Sequence, residues 1–405
     1  MENKKWTSKR LGSLCEILLG RTPSRSNSNY WGKGTSWVSI SDLKEKYIGD
    51  TKEEITVLGA KESRSRLIPK GTLLMSFKLS VGKLAFTKKE LYTNEAIAAL
   101  PIKNPSELNK YFLYYALKNI PLIGGNQAVM GQTLNKTSLT NLKLPYPKSL
   151  DDQKRIAQVL TDCEELIAKR KESIALLDEL LKSTFLEMFG DPVKNEKGWD
   201  WDTLENIVAE DCPLTYGIVQ PGEEFSNGVP VVRPVDLKND FVNLEGLKLI
   251  NPLISEKFKR TKLNGGEILL VVRGTTGGVS IAGEELKGAN VTRGITPIWL
   301  AENLNNRFVL HLIKSTPFQN LIKEKTYGIA LKQINLRDVR VLPIIKPPEK
   351  LQKTFTDIAD KVEETKKLYQ KHLDELENLY GRLSQDAFKG ELDLSKVAIR
   401  KEFEK

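Results

Sequence analysis

The chain has 405 residues, 40% hydrophobic and 28% charged, with 62 Lys and Arg against 52 Asp and Glu for a formal net charge of +10. That length predicts two or three domains with ordinary cores, and apolar runs such as Ile268–Val272 are far too short to cross a bilayer. Three scattered cysteines, Cys15, Cys163 and Cys212, exclude a disulfide framework or zinc knuckle, so a reduced, cytoplasmic protein is expected.

The charge is unevenly placed. Residues 1–143 carry 23 Lys and Arg against 11 Asp and Glu, whereas 191–341 balance at 19 against 19 and 342–405 at 13 against 13. A basic first block beside neutral companions points to a polyanion, nucleic acid above all.

In chain order, the mixed pattern of Trp6–Leu18 predicts a short helix beginning near Ser8. Gly20, Arg21, Thr22, Pro23, Ser24 and Arg25 form a loop with two guanidinium groups among small residues. Trp37–Ile40 and Thr72–Phe77 read as strands, the second opened by a Pro69, Lys70, Gly71 turn. Tyr111–Leu117 is an aromatic-rich helical patch assigned to the core, and Gly124–Asn135 is an exposed polar loop.

From Leu150 to Phe189 the periodicity changes. Ile156, Leu160, Cys163, Ile167, Ile174, Leu177, Leu181 and Met188 recur in steps of four and three, interrupted by Arg170 and Thr184. This is a coiled-coil seam, on a rod of roughly 60 Å at ~1.5 Å per residue. Gly190, Asp191 and Pro192, then Asn195–Gly198, are helix-stop and turn signals.

Trp199–Pro343 repeats the first globule. Trp6, Leu11 and Leu14 match Trp199, Leu204 and Ile207 at one offset, and Asp42-Leu43-Lys44 recurs as Asp236-Leu237-Lys238. Gly71 and Gly82 answer to Gly266 and Gly277, Lys78 to Arg273, Phe112 to Phe308, and Leu134-Asn135 to Ile334-Asn335. Each block ends on a Leu-Pro pair, Leu144-Pro145 or Leu342-Pro343, before a rod opened in register by Gln153 or Gln352. The second seam runs Leu351, Phe355, Ile358, Val362, Tyr369, Leu373, Leu376, Tyr380, Leu383 and Ala387, with its phase shifted near Tyr369. Neither rod hides its stripe alone, and the simplest partner for each is the other.

The fold class expected is therefore α+β: two mixed α/β globules alternating with two long helices paired as an antiparallel coiled coil, an internal repeat with pseudo-twofold character. The boundaries are a globule over 1–145, a helix over 146–190, a globule over 191–343, and a helix with its tail over 344–405.

The sequence lacks the common catalytic signatures. A phosphate-cradling Gly-x4-Gly-Lys-Ser/Thr loop is missing, and the one Pro-Pro pair, Pro347-Pro348, leads into a helix rather than forming an amino-methyltransferase site. His311 and His372, the only histidines, lie in separate helical patterns. No catalytic or metal-binding residue is assigned. The Asp-Leu-Lys triplets resemble the acid-x-Lys end of a metal-dependent nuclease site, without a second carboxylate at a consistent position; a strand-to-turn junction accounts for them better.

Arg and Lys suit guanine edges and phosphates, and Asn and Gln suit adenine. The candidates in the first globule are Arg21, Arg25, Arg64, Arg66, Lys78, Lys83, Gln127, Gln132 and Lys136. In the second they are Gln220, Arg233, Arg260, Lys262, Arg273, Thr275, Thr276, Arg293, Gln333 and Arg337. Three functional classes remain open on these residues: a DNA reader, a metal-dependent nuclease or modifying enzyme using the triplets, and a coiled-coil adaptor for acidic proteins.

The order globule, rod, globule, rod resembles the specificity subunit of Type I restriction-modification systems. The resemblance rests on Gln153-Lys154-Arg155-Ile156, Leu351-Gln352-Lys353 and the Gly-Arg-Thr-Pro stretch at 20–23. It implies that the globules are target recognition domains, each reading half of a bipartite double-stranded DNA site, and that the rods set the spacer. It also implies a chain without chemistry of its own, docked to two methyltransferase subunits and to restriction-translocase subunits that bring S-adenosylmethionine, ATP and Mg²⁺. From opening Gln to Leu-Asp-Glu-Leu the second rod is three residues shorter than the first, so the implied docking surfaces are not strictly symmetric.

Overall fold

The computed structural model describes residues 6–120, 134–301, 304–329 and 331–403. The chain divides into two compact units: residues 1–170 with 372–405, and residues 171–371.

Unit 1 opens on β1 (Trp6–Arg10) and a single helical turn, α1 (Leu11–Leu14). The sequence pattern predicts a longer helix here. Backbone partners far along the chain override it, because β1 pairs antiparallel with β10 (Lys143–Pro147), Trp6 opposite Pro147. Between them lie β2 (Leu18–Leu19), β3 (Trp31–Val38), β4 (Tyr47–Ile48), β5 (Glu53–Ile55), α2 (Val57–Glu62), β6 (Leu73–Ser76), β7 (Leu84–Thr87), β8 (Tyr92–Thr93), β9 (Ile97–Leu100), α3 (Lys110–Asn119) and α4 (Lys136–Asn141). They make a five-stranded sheet, β2-β9-β6-β7-β4, and a three-stranded one, β5-β3-β8. In the larger sheet β6 and β9 are buried along their whole length, reading as apolar runs with both faces covered.

The predicted strand at 72–77 is present as β6, the one at 37–40 overlaps only the last two residues of β3 before a 3₁₀ turn at Ile40–Asp42, and the Tyr111–Leu117 patch is α3, with Phe112 and Tyr115 fully buried. The polar loop expected from Gly124, with Gln127 and Gln132, falls outside the described residues up to position 133.

A long helix, α5 (Leu150–Phe189), begins in this unit. Its Ile156 and Leu160 lie in one apolar core with Leu11, Phe112 and Ala387. The chain's last segment crosses α5: Arg155 Nε donates to Val397 O at 3.1 Å, Gln158 Nε2 donates to Ala398 O at 3.0 Å, and Phe403 packs edge-on against Tyr111.

Unit 2 continues with β11 (Trp201–Thr203), α6 (Leu204–Ile207), β12 (Val229–Val232), β13 (Lys248–Ile250), α7 (Pro252–Glu256), β14 (Ile268–Val271), β15 (Val279–Ile281), β16 (Asn290–Val291) and β17 (Ile295–Ile298). Then come α8 (Asn306–Lys314), α9 (Thr316–Glu324), α10 (Leu336–Arg340), β18 (Pro343–Ile345) and the second long helix, α11 (Glu349–Lys389). The repeat read in the sequence is also a repeat of topology. β11 pairs with β18 as β1 does with β10, β15-β14-β17 mirrors β7-β6-β9, and β12 lies antiparallel to β13 and parallel to β16 as β3 does to β5 and β8.

Within unit 2, Phe185 and Phe189 of α5 pack against Phe308 and against Phe355 of α11, and Lys366 Nζ reaches Asp178 at 2.7 Å. Leu177, Leu181, Ile358 and Val362 join that core. Within unit 1, Leu383 joins the core around Ile156, Leu373 is buried and Leu376 half-buried. Ile167 and Ile174 are half-buried. Among the described residues, no helix is long and apolar enough to cross a membrane, and Cys15, Cys163 and Cys212 are free thiols, with burial pushing Cys15 up to about 12.

The two glutamines that open the rods in register do the same work. Gln153, fully buried, accepts from the Asn109 backbone N–H at 2.9 Å and donates to Glu107 O and Pro147 O. Gln352 accepts from the Asn305 N–H at 3.0 Å and donates to Pro347 O. Asn109 and Asn305 in turn cap α3 and α8 with their side chains. Each glutamine thereby ties the start of a long helix to the first turn of its own globule's core helix.

Candidate nucleic-acid interface

Both units contain the same corner, made where a hairpin end meets three other segments. In unit 1 the β6–β7 hairpin closes through Gly82 N–H to Ser76 O at 2.9 Å. Phe77 N–H donates to Ala96 O at the start of β9, and Leu134 N–H donates to Phe77 O. Arg21 N–H donates to Thr93 O at 2.8 Å, bringing the Gly20–Arg25 loop to the same place.

In unit 2 Gly277 N–H closes the β14–β15 hairpin on Val271 O, Val272 N–H donates to Gly294 O, Ile334 N–H to Val272 O, and Ile218 N–H to Val291 O. Gly20 and Gly217 are equivalent for a steric reason. A Cβ on Gly20 would stand 2.1 Å from Asn94 O, and one on Gly217 2.1 Å from Val291 O, so each loop can approach its strand only as glycine.

The corner collects some of the predicted contact residues and leaves others elsewhere. In unit 1 Arg21 is exposed and Lys78 half-exposed on it, while Lys83, exposed at the hairpin's return, reaches Ile40 O. In unit 2 Arg273 pairs with Gln333 as an isolated bridge, Gly274 N–H donates to Lys332 O, and Thr276 meets Thr326 through their hydroxyls at 3.2 Å. Arg293 follows, its N–H on Ile218 O, with exposed Gln220 two residues beyond Ile218 and exposed Thr275 on the hairpin. Lys136 and Arg337 are exposed in the first turns of α4 and α10, one residue after Leu134-Asn135 and two after Ile334-Asn335.

Arg64 and Arg66 lie on the loop after α2, and Arg260 on a turn before β14, all exposed. Three candidates already have internal anions. Arg25 forks onto Glu53, with its guanidinium 3.7 Å from the Trp31 ring centre, and the Glu53 hydrogen bond raises its pKa further. Arg233 grips Asp236 at 2.9 and 3.0 Å, and Lys262 pairs with Glu256.

The Asp-Leu-Lys triplets are caps. Asp42 accepts from Ser39 N–H at 2.8 Å and from Ser39 Oγ at 2.6 Å; Asp236 accepts from Arg233 N–H at 2.8 Å. Each carboxylate closes a short 3₁₀ turn, and among the described residues no group of three or more His, Cys, Asp or Glu is placed to hold a metal ion.

Sequence reasoning missed the polar clusters that brace each globule on its helices. In unit 1 Glu164 accepts from Tyr115 Oη and Lys118 Nζ at 2.6 Å each and from Lys46 Nζ at 3.2 Å. Burial alone would raise the Glu164 pKa; the hydrogen bonds from Lys118 and Tyr115 and the nearby ammonium charges bring it below the usual value. Burial lowers the Lys46 pKa and, with Glu164, raises that of Tyr115. In unit 2 the buried acid is Asp240, held by Lys314 and by His311 Nε2 at 3.4 Å, while Arg307 Nε reaches Asp360 of α11 at 2.9 Å. Burial opposes the Asp240 charge, but His311 and Lys314 prevail and its pKa falls far below the usual range. The partners lie tens of residues apart, and no local pattern announces them.

Each unit thus carries an α/β globule with cationic side chains at a hairpin corner, tied to a long helix. Residues 3–177 and 219–378 match the family model of the Type I restriction modification DNA specificity domain. The chain belongs to that family, the specificity subunits of Type I restriction-modification systems. Relatives include the MjaIX specificity subunit of Methanocaldococcus jannaschii, 27% identical over 88% of this chain and 86% of its own, and the EcoBI specificity subunit of Escherichia coli, 24% identical over 74% and 69%. The fold is shared with a chain from a type I restriction-modification complex (TM-score 0.63, 16% identity, 96% and 98% covered) and with the S subunit of M. genitalium (TM-score 0.52, 16% identity, 96% and 97% covered).

Proposed function

We propose that the chain is the non-catalytic sequence-recognition subunit of a Type I restriction-modification complex, each globule reading one half of a bipartite DNA target. The observation that carries this reading is the duplicated corner, where two equivalent hairpins present Lys78 with Arg21 in one unit, and Arg273 with Arg293, Gln333 and Thr275 in the other. Residue types able to read base edges and grip phosphates are offered twice on one frame.

In this reading α5 and α11 pair antiparallel as a coiled coil whose length sets the unread spacer. Support comes from each unit separately: Tyr380 of α11 reaches Glu164 of α5 in one, and Lys366 reaches Asp178 in the other. The helices and adjoining globule faces dock two methyltransferase subunits, which bring S-adenosylmethionine and the catalytic residues; restriction-translocase subunits bring ATP and Mg²⁺ chemistry. The capping role of Asp42 and Asp236 argues against a nuclease built on the triplets.

The test is to map methylated bases across the host genome with the gene intact and deleted. Loss of one bipartite motif on deletion is the expected result. Unchanged methylation, together with purified complex that binds all DNA alike as salt is raised, would refute the reading.

A further inference from the structure

The hairpin tip of unit 1 carries a side chain that the charge argument does not use. The two hairpin connections are equal in length, so Phe77, Lys78, Leu79, Ser80, Val81 and Gly82 correspond one by one to Val272, Arg273, Gly274, Thr275, Thr276 and Gly277. The third position is left-handed in both, with φ +95° at Gly274 and +59° at Leu79. Glycine adopts this conformation freely. A leucine there crowds its own carbonyl and persists only where something else requires it.

The hairpin sets this backbone, since Gly274 adopts it at the same position, but among the described residues the fold gives the leucine side chain no cover. Leu79 is 83% exposed, whereas Phe77 beneath it is 1% exposed. A left-handed backbone and a solvated apolar side chain both oppose folding, and a surface that covered Leu79 on binding would offset them. Lys78 precedes Leu79, and Arg21 is carried by the loop that bonds to the same β8–β9 turn as Phe77. An apolar tip set among cations matches a ligand with anions outside and apolar faces within, which describes stacked bases between phosphates.

We propose that Leu79 is a wedge that enters the base stack of the half-site read by unit 1, with Lys78 and Arg21 on the flanking phosphates. Side chains of this class unstack a single base step and bend the duplex around it. The proposal rests on the reader assignment above. Gly274 has no side chain to insert, so the second half-site is read without a wedge at this position, and the two halves of the target are deformed unequally.

Leu79→Gly gives unit 1 the residue that unit 2 already carries there, and it relieves the backbone. Its melting temperature should equal or exceed that of the wild type, which separates lost binding from misfolding. The experiment uses the full chain assembled with its methyltransferase subunits, without S-adenosylmethionine. The duplexes carry 2-aminopurine at each position of the mapped first half-site in turn.

Wild-type complex should brighten one base step that Leu79→Gly leaves dark, and the variant should bind at least about tenfold more weakly, the equivalent of one leucine side chain left in water. Any step brightened equally by both belongs to the methyltransferase and not to Leu79. Equal affinity and identical fluorescence for the variant would overturn the wedge while leaving the reader assignment standing. Wild-type complex with no preference for the mapped site over competitor DNA would overturn the assignment, and the wedge with it.

Discussion

Replacing Gln153 by alanine isolates the joint between globule and helix. The side chain makes three hydrogen bonds while wholly out of water, at 2.9, 2.9 and 3.1 Å. At about 1 kcal/mol each, their loss sums to roughly 3 kcal/mol. The damage is concentrated on Asn109, whose buried N–H loses its acceptor, whereas Glu107 O still accepts from Tyr146 Oη at 2.6 Å. For a unit of about two hundred residues each kcal/mol is worth some 2–4 °C, so the melting transition of unit 1 should fall by roughly 6–12 °C.

Hydrogen exchange with mass spectrometry is the appropriate assay, because a chain of two units need not unfold in one step. Protection should drop in residues 109–119 and 150–160 and hold in unit 2. Gln352→Ala should reverse the pattern, with loss at 305–314. A Gln153→Ala protein within about 1 kcal/mol of the wild type would refute the clamp, since that is no more than one ordinary hydrogen bond.

Glu164 titrates below its usual value in the folded state, so its contribution is present above the unfolded carboxyl pKa and is lost as pH falls through the folded one. Acid titration of unit 1 monitored by exchange should therefore show a loss of protection near Tyr115 below the usual glutamate range that Glu164→Gln, already weakened at neutral pH, does not show. Arg273→Ala should weaken DNA binding and lower the slope of log affinity against log salt by about 1 if the residue grips a phosphate, measured by fluorescence anisotropy. Arg25→Ala should change that slope less, because Glu53 already neutralises Arg25; an equal slope change would show that the pair opens on DNA. Asp42→Ala and Asp236→Ala should each cost about 1 kcal/mol of stability as lost caps, with methylation specificity unchanged in a sequencing assay.

Much of the fold was legible because duplication writes every essential feature twice. Gln153 and Gln352, read only as a shared register, mark equivalent clamps, and the glycine pairs at 71 and 82, 266 and 277 all carry positive φ. Periodicity found both long helices, because a stripe repeated over 40 residues outweighs local noise. It misread Trp6–Leu18, where strand pairing with residues more than 130 positions away overrides a weak local preference. The candidate site was legible as composition and not as geometry. Arg21 and Arg25 look alike in one loop, yet one stands exposed and the other is folded onto Glu53 and Trp31, a distinction set by a strand 28 residues downstream. Leu79 was invisible for the opposite reason, since nothing in a sequence marks an apolar residue whose backbone is left-handed.

The closing segment, with Gln158 hydrogen-bonded to Ala398 and Phe403 seated against Tyr111, has a consequence for how the protein is made. Unit 2 is one uninterrupted stretch, whereas unit 1 needs residues from both sides of it. A ribosome releases the first 170 residues on the order of tens of seconds before residues 372–403 follow them, at the usual pace of synthesis. The basic globule, synthesised before the second unit, is thus completed after it, and the side of its core that Ala387 and Phe403 close waits open while the second unit folds.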